Sequence, residues 1–288
     1  MLNVAICLSG HINTFHRKKV HEPILKIIKD LNADVYVCTS TMMSSPQKHK
    51  PTNAEKLGFK KIYIPPRPGR ETPHHYGWGL QADPGSIATY VKQKLGSSLS
   101  EIKVIDQNIE RINNDLPSCL WEYQRQSELL KLKECFNMIE EAECARGRKY
   151  DAVIRCRPDI CLQNPKQSEV ISRFLKNISK NKDNCIVNLG GWPCSKSHNL
   201  RSFFYGFCYG NRDSMKKLAN IIEVEDIKIY EDQITAMGET LTTGSFLEAI
   251  VSHYIGNNNI KIGYECNKDK RSRKYTIVRS LPIPTKLF

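Results

Sequence analysis

The sequence predicts a single α/β domain with a central mixed, mainly parallel sheet flanked by helices. Three observations carry that expectation. The chain opens on a continuous apolar run, "NVAICLSG" from Asn3 to Gly10, that stops at Ser-Gly. A helix-spaced segment and a second apolar run follow it, so the order is strand, helix, strand. In the middle a long amphipathic stretch delivers the chain directly into "YDAVIRCRPD". Runs that are apolar throughout, rather than alternating, are what a strand buried on both faces of a parallel sheet requires.

Taken in order, Asn3 to Gly10 is the first strand. Pro23 to Leu31, "PILKIIKDL", places Ile24, Ile27, Ile28 and Leu31 on one helical face, and "ADVYVCTS" is the second strand, completing a βαβ unit. "KKIYIPP" is a third short strand leading into Arg67 to Ser86, "RPGRETPHHYGWGLQADPGS". That segment is rich in Gly, Pro and His without periodicity, and reads as a long surface loop, with Trp78 and His75 available to a ligand. From about Ser118 to Arg146, Leu129, Leu132, Phe136, Ile139 and Ala142 recur every three or four residues, a long helix that Gly147 ends. Then come a helix around Glu169 to Lys180, a strand "NCIVNLGG", the aromatic segment "SFFYGFCYG" and a short helix "RDSMKKLANII". "TGSFLEAIVSHYI" reads as a further helix, "NIKIGYE" as a strand and "NKDKRSRKY" as a basic surface tail. There is no internal repeat and no linker, so one domain accounts for the chain.

Composition narrows the partner. With 288 residues and 40% hydrophobic content the chain can bury a substantial core. Its 43 Lys plus Arg against 30 Asp plus Glu leave a formal charge of +13, which suits an anionic partner: a nucleotide, a nucleic acid or an acidic membrane surface. The 11 cysteines form no CxxC pair, and several lie inside apolar runs, where a thiol acts as a small hydrophobe. That placement favours a reducing compartment. The start "MLNVAICLSG" lacks a basic n-region and no apolar run approaches the roughly 18 residues of a membrane span, so the expected location is cytoplasmic.

Chemistry concentrates at "YDAVIRCRPDI", Tyr150 to Ile160. Arg155, Arg157 and Asp159 sit at i, i+2 and i+4, so on an extended strand all three side chains share a face. Two cations and a carboxylate aimed at one point suit a phosphorylated or metal-bound ligand, through forked guanidinium–phosphate bonds and a carboxylate-held Mg²⁺ or Mn²⁺. A plain Arg/Asp ion pair at a strand end is the alternative. Arginines in an apolar strand are costly to bury without a strong partner, which favours the functional reading. The turn "LSGHINTFHR", with Leu8, Ser9, Gly10 and Arg17, stands where open α/β sheets bind ligands. Gly10 lets a nucleotide approach the backbone, although an ordinary tight turn explains the same residues.

On "VAICLSGHINTF", "YDAVIRCRPDI" and "FFYGFCYGNRDSMKKL", in that order, the chain resembles the GT-A type glycosyltransferases, and in particular the small glycosyltransferases of large algal viruses (chloroviruses), a xylosyltransferase among them. The resemblance implies a single GT-A-like domain with a nucleotide-binding part over about 1–160 and an acceptor part over about 161–288. It implies a UDP-sugar donor, with UDP-xylose leading, an oligosaccharide or glycoprotein acceptor, an inverting transfer, and the host cytoplasm if the source is viral. The family's acidic Asp-x-Asp motif falls on Arg157-Pro158-Asp159, where the first acid is an arginine. Asp159 and His253 are the implied ligands of a divalent Mn²⁺ or Mg²⁺. The family's x-Glu-Asp motif matches Tyr230-Glu231-Asp232, 73 residues after Asp159, making Asp232, or failing it Glu231, the general base, with Glu248 a rival carboxylate. An acidic first turn of a helix explains "YEDQ" equally well. Trp192 in "NLGGWPCS" offers a flat apolar face to a sugar, with core packing the equal alternative, and Tyr123, Gln124 and Gln126 are polar positions able to face the nucleotide, although an ordinary exposed helix face looks the same.

Two other classes fit the charge. A nucleic-acid-binding module would use the +13 and the tail Lys268 to Lys274, but the basic residues are dispersed and no nucleic-acid-binding motif is present, so no nucleic acid is expected. An inactive glycosyltransferase-like scaffold would explain the incomplete acidic motif.

Overall fold

The computed structural model describes residues 2–12, 15–47, 59–64, 77–106, 129–162, 169, 171–172, 186–188, 206–223, 260–262 and 275–277. Its centre is the apolar opening run. Strand β1 (Val4–Ser9) is buried along its whole length and pairs in parallel with β2 (Asp34–Ser40) on one side and β7 (Ala152–Cys156) on the other. Between β1 and β2 runs helix α1 (Lys18–Leu31), so the predicted βαβ unit is present.

Helix α1 begins five residues before the expected Pro23, at Lys18. Val20 extends the Ile24, Ile27 and Ile28 stripe by one turn, and Pro23 sits inside the helix. In the second turn a proline costs one backbone hydrogen bond, which the buried stripe outweighs.

Beyond β2 the sheet adds β6 (Leu99–Ile105), parallel and half-exposed, at its edge. Beyond β7 it adds β10 (Phe207–Asn211), which runs antiparallel to β7, then β9 (Ile186–Asn188) and β11 (Ile260–Ile262). The order among the described residues is β11-β9-β10-β7-β1-β2-β6, a mixed, mainly parallel sheet as predicted. Side chains alternate between two cores. Val4, Ile6, Leu8, Val35, Val37 and Ile154 meet α1 and α2 (Pro84–Leu95), whereas Ala5, Cys7, Tyr36, Cys38 and Val153 meet α3 (Leu130–Arg146) and α4 (Arg212–Ala219).

The predicted loop Arg67 to Ser86 is corrected in its second half. Residues Gly77–Ala82 form β5, the middle strand of an antiparallel sheet with β3 (Met42–Gln47) and β4 (Phe59–Ile64), and α2 starts at Pro84. The overlooked signal is Asp83-Pro84: the Asp83 carboxylate accepts from the Ser86 N–H at 2.8 Å and Pro84 stands in the first turn. Strand β6 was likewise not anticipated from the sequence, because an edge strand carries too few apolar residues to declare itself. Of the helix expected over Ser118 to Arg146, the portion Leu130–Arg146 is described, and Gly147 closes it at φ 65° as expected. The helix at "TGSFLEAIVSHYI" lies outside the described residues, as does most of Glu169 to Lys180. Just past the stretch read as tail, sharing only Tyr275 with it, Tyr275–Ile277 forms β12, which pairs antiparallel with β8 (Ile160–Leu162).

Candidate functional site at the carboxyl edge of the sheet

The chain leaves β1 towards β2 and β6, then crosses back to place β7 on the opposite side of β1. The carboxyl ends of β1 and β7 therefore flank the point where the strand order reverses, the position at which open α/β sheets bind ligands. Ser9 and Gly10 close β1 there, and Cys156, Arg157 and Asp159 close β7. Gly10 has φ 137°, which L side chains rarely adopt, and its N–H is tied to the Cys38 carbonyl at 3.1 Å.

Arg155 is completely buried on the α3 side of the sheet, between Cys7 and Cys208 in the strand register. Its Nε donates to Ser9 Oγ at 3.0 Å, joining the ends of β1 and β7. Arg157 and Asp159 do not continue the strand, which corrects the expectation of one shared strand face. Strand β7 ends at Cys156, the Arg157 N–H bonds the Gly206 carbonyl at 2.7 Å, and the Arg157 carbonyl accepts from Ile160 N–H at 3.3 Å. Those bonds close a turn with Pro158 and Asp159 at its centre. The turn folds the carboxylate back onto the guanidinium: Nε to Oδ1 and Nη2 to Oδ2 are both 2.8 Å, a two-bond fork. Asp159 is 1% exposed, while the Arg157 side chain keeps 13%.

Polar residues that sequence reasoning had not singled out complete the edge. His11, 5% exposed, shares a 2.9 Å hydrogen bond with Ser40 Oγ at the end of β2. Thr41 Oγ1 donates to Asp106 Oδ1 at 3.0 Å, just past β6. Lys131 is fully buried in the first turn of α3. A signal for His11, Ser40 and Thr41 existed: "CLSGH" and "CTST" are the places where two apolar strands turn polar.

Leu8 lies in the core against α1, leaving only its backbone to the site, and Arg17 stands at the head of α1, where its carbonyl accepts from Val20 and His21. Trp78 lies on β5, paired in register with Tyr63 and Gln47. His75, Tyr123, Gln124, Gln126, Trp192, Glu231, Asp232, Glu248, His253 and Lys268 to Lys274 lie outside the described residues.

No family model matches the chain, and no curated protein matches it. Its chain path resembles several solved structures at low identity. The galactosyltransferase LgtC, in complex with donor and acceptor sugar analogs, shares 8% identity over 91% of this chain and 73% of its own, with a TM-score of 0.40. Mouse xyloside xylosyltransferase 1 in its apo form shares 8% over 91% and 84%, with a TM-score of 0.38. A UDP-glucose pyrophosphorylase complexed with UDP-glucose shares 6% over 88% and 99%, with a TM-score of 0.30. These are likenesses of path at the margin of recognisable similarity.

The site's chemistry is read from its own residues. Burial pushes the Cys38 and Cys208 thiols up to about 12, with the cations Lys131 and Arg155 respectively pulling the other way. Neither thiol is a nucleophile at neutral pH. Among the described residues Cys7, Cys38, Cys135, Cys156 and Cys208 are buried packing groups, as the sequence implied for those in apolar runs, whereas Cys144 is exposed. The Asp159 carboxylate has both oxygens committed to a guanidinium and is buried, so the donor set at Arg157-Pro158-Asp159 does not fit the divalent cation that the resemblance implies. No described helix is long and apolar enough to cross a membrane.

Proposed function

We propose that the chain is a nucleotide-sugar-dependent glycosyltransferase whose donor lies across the carboxyl ends of β1 and β7. The observation that carries this reading is that Gly10, the Arg155–Ser9 pair and the Arg157–Asp159 fork all stand at the carboxyl ends of β1 and β7, where the strand order reverses. The motif resemblance at "YDAVIRCRPDI" supports the same class.

In this reaction the acceptor hydroxyl oxygen bonds to the anomeric carbon while the bond from that carbon to the diphosphate oxygen breaks. The electron pair leaves with the nucleoside diphosphate, and a carboxylate takes the hydroxyl proton. Negative charge grows on the leaving group, so fixed donors aimed at it are worth most in the transition state. We assign that role to Arg157, whose side chain is the more exposed member of the pair with Asp159. We assign the base to Asp232, with Glu231 and Glu248 as alternatives, the stereochemical course to inversion, the lead donor to UDP-xylose, and the acceptor to a glycan.

A donor-hydrolysis and transfer screen of UDP- and GDP-sugars tests this. One donor should release its nucleotide, and Asp232→Asn should slow transfer about a hundredfold or more, within the range of general-base contributions. Silence towards every donor, together with tight, salt-sensitive binding of random oligonucleotide, would replace the reading with the nucleic-acid-binding one.

A further inference from the structure

We infer that the outward face of α1 and α2 docks on an anionic lipid membrane; this is independent of the donor-site reading. The helices on the two sides of the sheet differ in charge. Helices α1 and α2 carry Lys18, Lys19, Lys26, Lys29, Lys92 and Lys94 against the carboxylates Glu22 and Asp30 alone. On α3 and α4 the cations are matched almost one for one by Glu134, Glu140, Glu141, Glu143 and Asp213. Every one of the α1 and α2 lysines except Lys94 is exposed, as are Glu22 and Asp30, so this face presents net positive charge to solvent. Both helices lead by short connections into parallel strands, α1 into β2 and α2 into β6, so their last turns, with Lys29, Leu31, Lys92 and Lys94, share one edge of the sheet. Apolar groups stand among these cations. Leu25, Leu31 and Tyr90 pack against the core yet are only partly buried. On α1, Leu25 lies one turn from Lys29, and on α2 the Lys94 Nζ stands 5.9 Å from the centre of the Tyr90 ring. Lysines with leucines between them suit the boundary of lipid headgroups and acyl chains, where the stems lie on apolar surface and the ammonium groups meet phosphate. A nucleic acid would take the lysines but offers the leucines no apolar phase.

The plain competitor is a solvated face whose last-turn lysines only complement the helix dipoles. Flotation of the full chain with vesicles of phosphatidylcholine alone, and of phosphatidylcholine mixed with phosphatidylglycerol, separates the two. The chain should bind the anionic vesicles and not the neutral ones, with affinity falling as salt is raised. Each lysine near an anionic bilayer is worth about fivefold in affinity, so Lys29→Gln combined with Lys92→Gln should weaken binding about twenty-five-fold. Leu25→Ala should weaken it about two- to threefold, and Lys217→Gln, on the exposed side of α4, less than about twofold. Circular dichroism and the Tm of each variant identify any loss due to unfolding, and Lys18→Gln with Lys29→Gln replaces the first pair if that one does not fold. No binding to anionic vesicles, or equal binding to both vesicle types, would overturn the inference. Unchanged affinity in the folded double variant would overturn it too, including the case in which neutralising Lys268 to Lys274 abolishes binding instead. Random oligonucleotide that displaces the vesicles, and that the same double variant no longer binds, would assign the face to nucleic acid and overturn the membrane reading. None of these outcomes touches the donor site, which the nucleotide-sugar screen tests separately.

Discussion

The two ends of β7 each carry a buried arginine, and they are built differently. At the amino end, Arg212 reaches Glu143 and Glu140 at 2.7 Å and Asp213 at 3.2 Å, and Lys216 joins Glu140 at 2.6 Å. Glu143 also accepts the Tyr150 N–H at 2.9 Å, so α3, α4 and the start of β7 are tied through one carboxylate. At the carboxyl end, the Nε of Arg155 meets the Ser9 hydroxyl, and the buried carboxylate of Asp159 faces Arg157. At the amino end, carboxylates from two helices surround one cation; at the carboxyl end, the Arg157–Asp159 pair closes a turn within a single stretch of chain. The first arrangement holds helices together; the second fixes the bend after β7.

The sharpest way to break this comparison is to remove the first arginine. Arg212→Met leaves Glu143, 5% exposed, buried without its cation, and should cost about 3–5 kcal/mol in denaturant unfolding, as when one partner of a buried pair is removed. A loss under about 1 kcal/mol would mean that the amino end is not a strut. Next in size, Gly10→Ala forces a side chain onto φ 137° and should cost about 1–3 kcal/mol while displacing the turn at the site, so nucleotide affinity should fall with it. Arg155→Met removes the bond to Ser9 Oγ that joins the ends of β1 and β7 and should cost about 1–3 kcal/mol in denaturant unfolding, with weaker nucleotide binding in titration. Stability losses equal to those of Arg212→Met would erase the distinction between the two ends.

The smallest effect is a pH dependence. Burial pushes Glu140 up, but hydrogen bonds from Lys216 and Arg212 outweigh it and hold the carboxyl below its ordinary 4.5. A depressed folded-state value means the stabilisation is present above 4.5 and is lost as pH falls through the lower folded value. Glu140→Gln should therefore flatten the acid limb of the stability curve below about pH 4.5 and cost only a few tenths of a kcal/mol near neutrality, because the pair is partly exposed. An unchanged acid limb would show that Glu140 is not coupled to the strut.

What could be read from the sequence follows from how each feature is encoded. Strands β1, β2 and β7 announced themselves because burial on both faces demands apolar residues along the strand, and α3 because Leu132, Phe136 and Ile139 recur at helical spacing with Gly147 at the end. Strand β6 escaped because a half-buried edge strand tolerates polar residues, and β3 and β5 because their Ser, Pro and Gly read as loop, whereas β4 was legible in "KKIYIPP". "RCRPD" stood out because arginines in an apolar strand need a reason, but its geometry was misread: period two extends only as far as the strand does, and Pro158 ends it.

By itself, the sequence determined the α/β class, the βαβ start and the packing role of Cys7 and Cys38 in its first two strands, and it singled out Arg155, Arg157 and Asp159. Only the tertiary structure decided that Arg157 clasps Asp159 while Arg155 turns to Ser9, and that His11, Ser40, Thr41 and Asp106 share their edge. The physical reason is that parallel pairing brings together strand ends that lie far apart in the chain, from Ser9 to Cys156, and no local periodicity records which ends will meet.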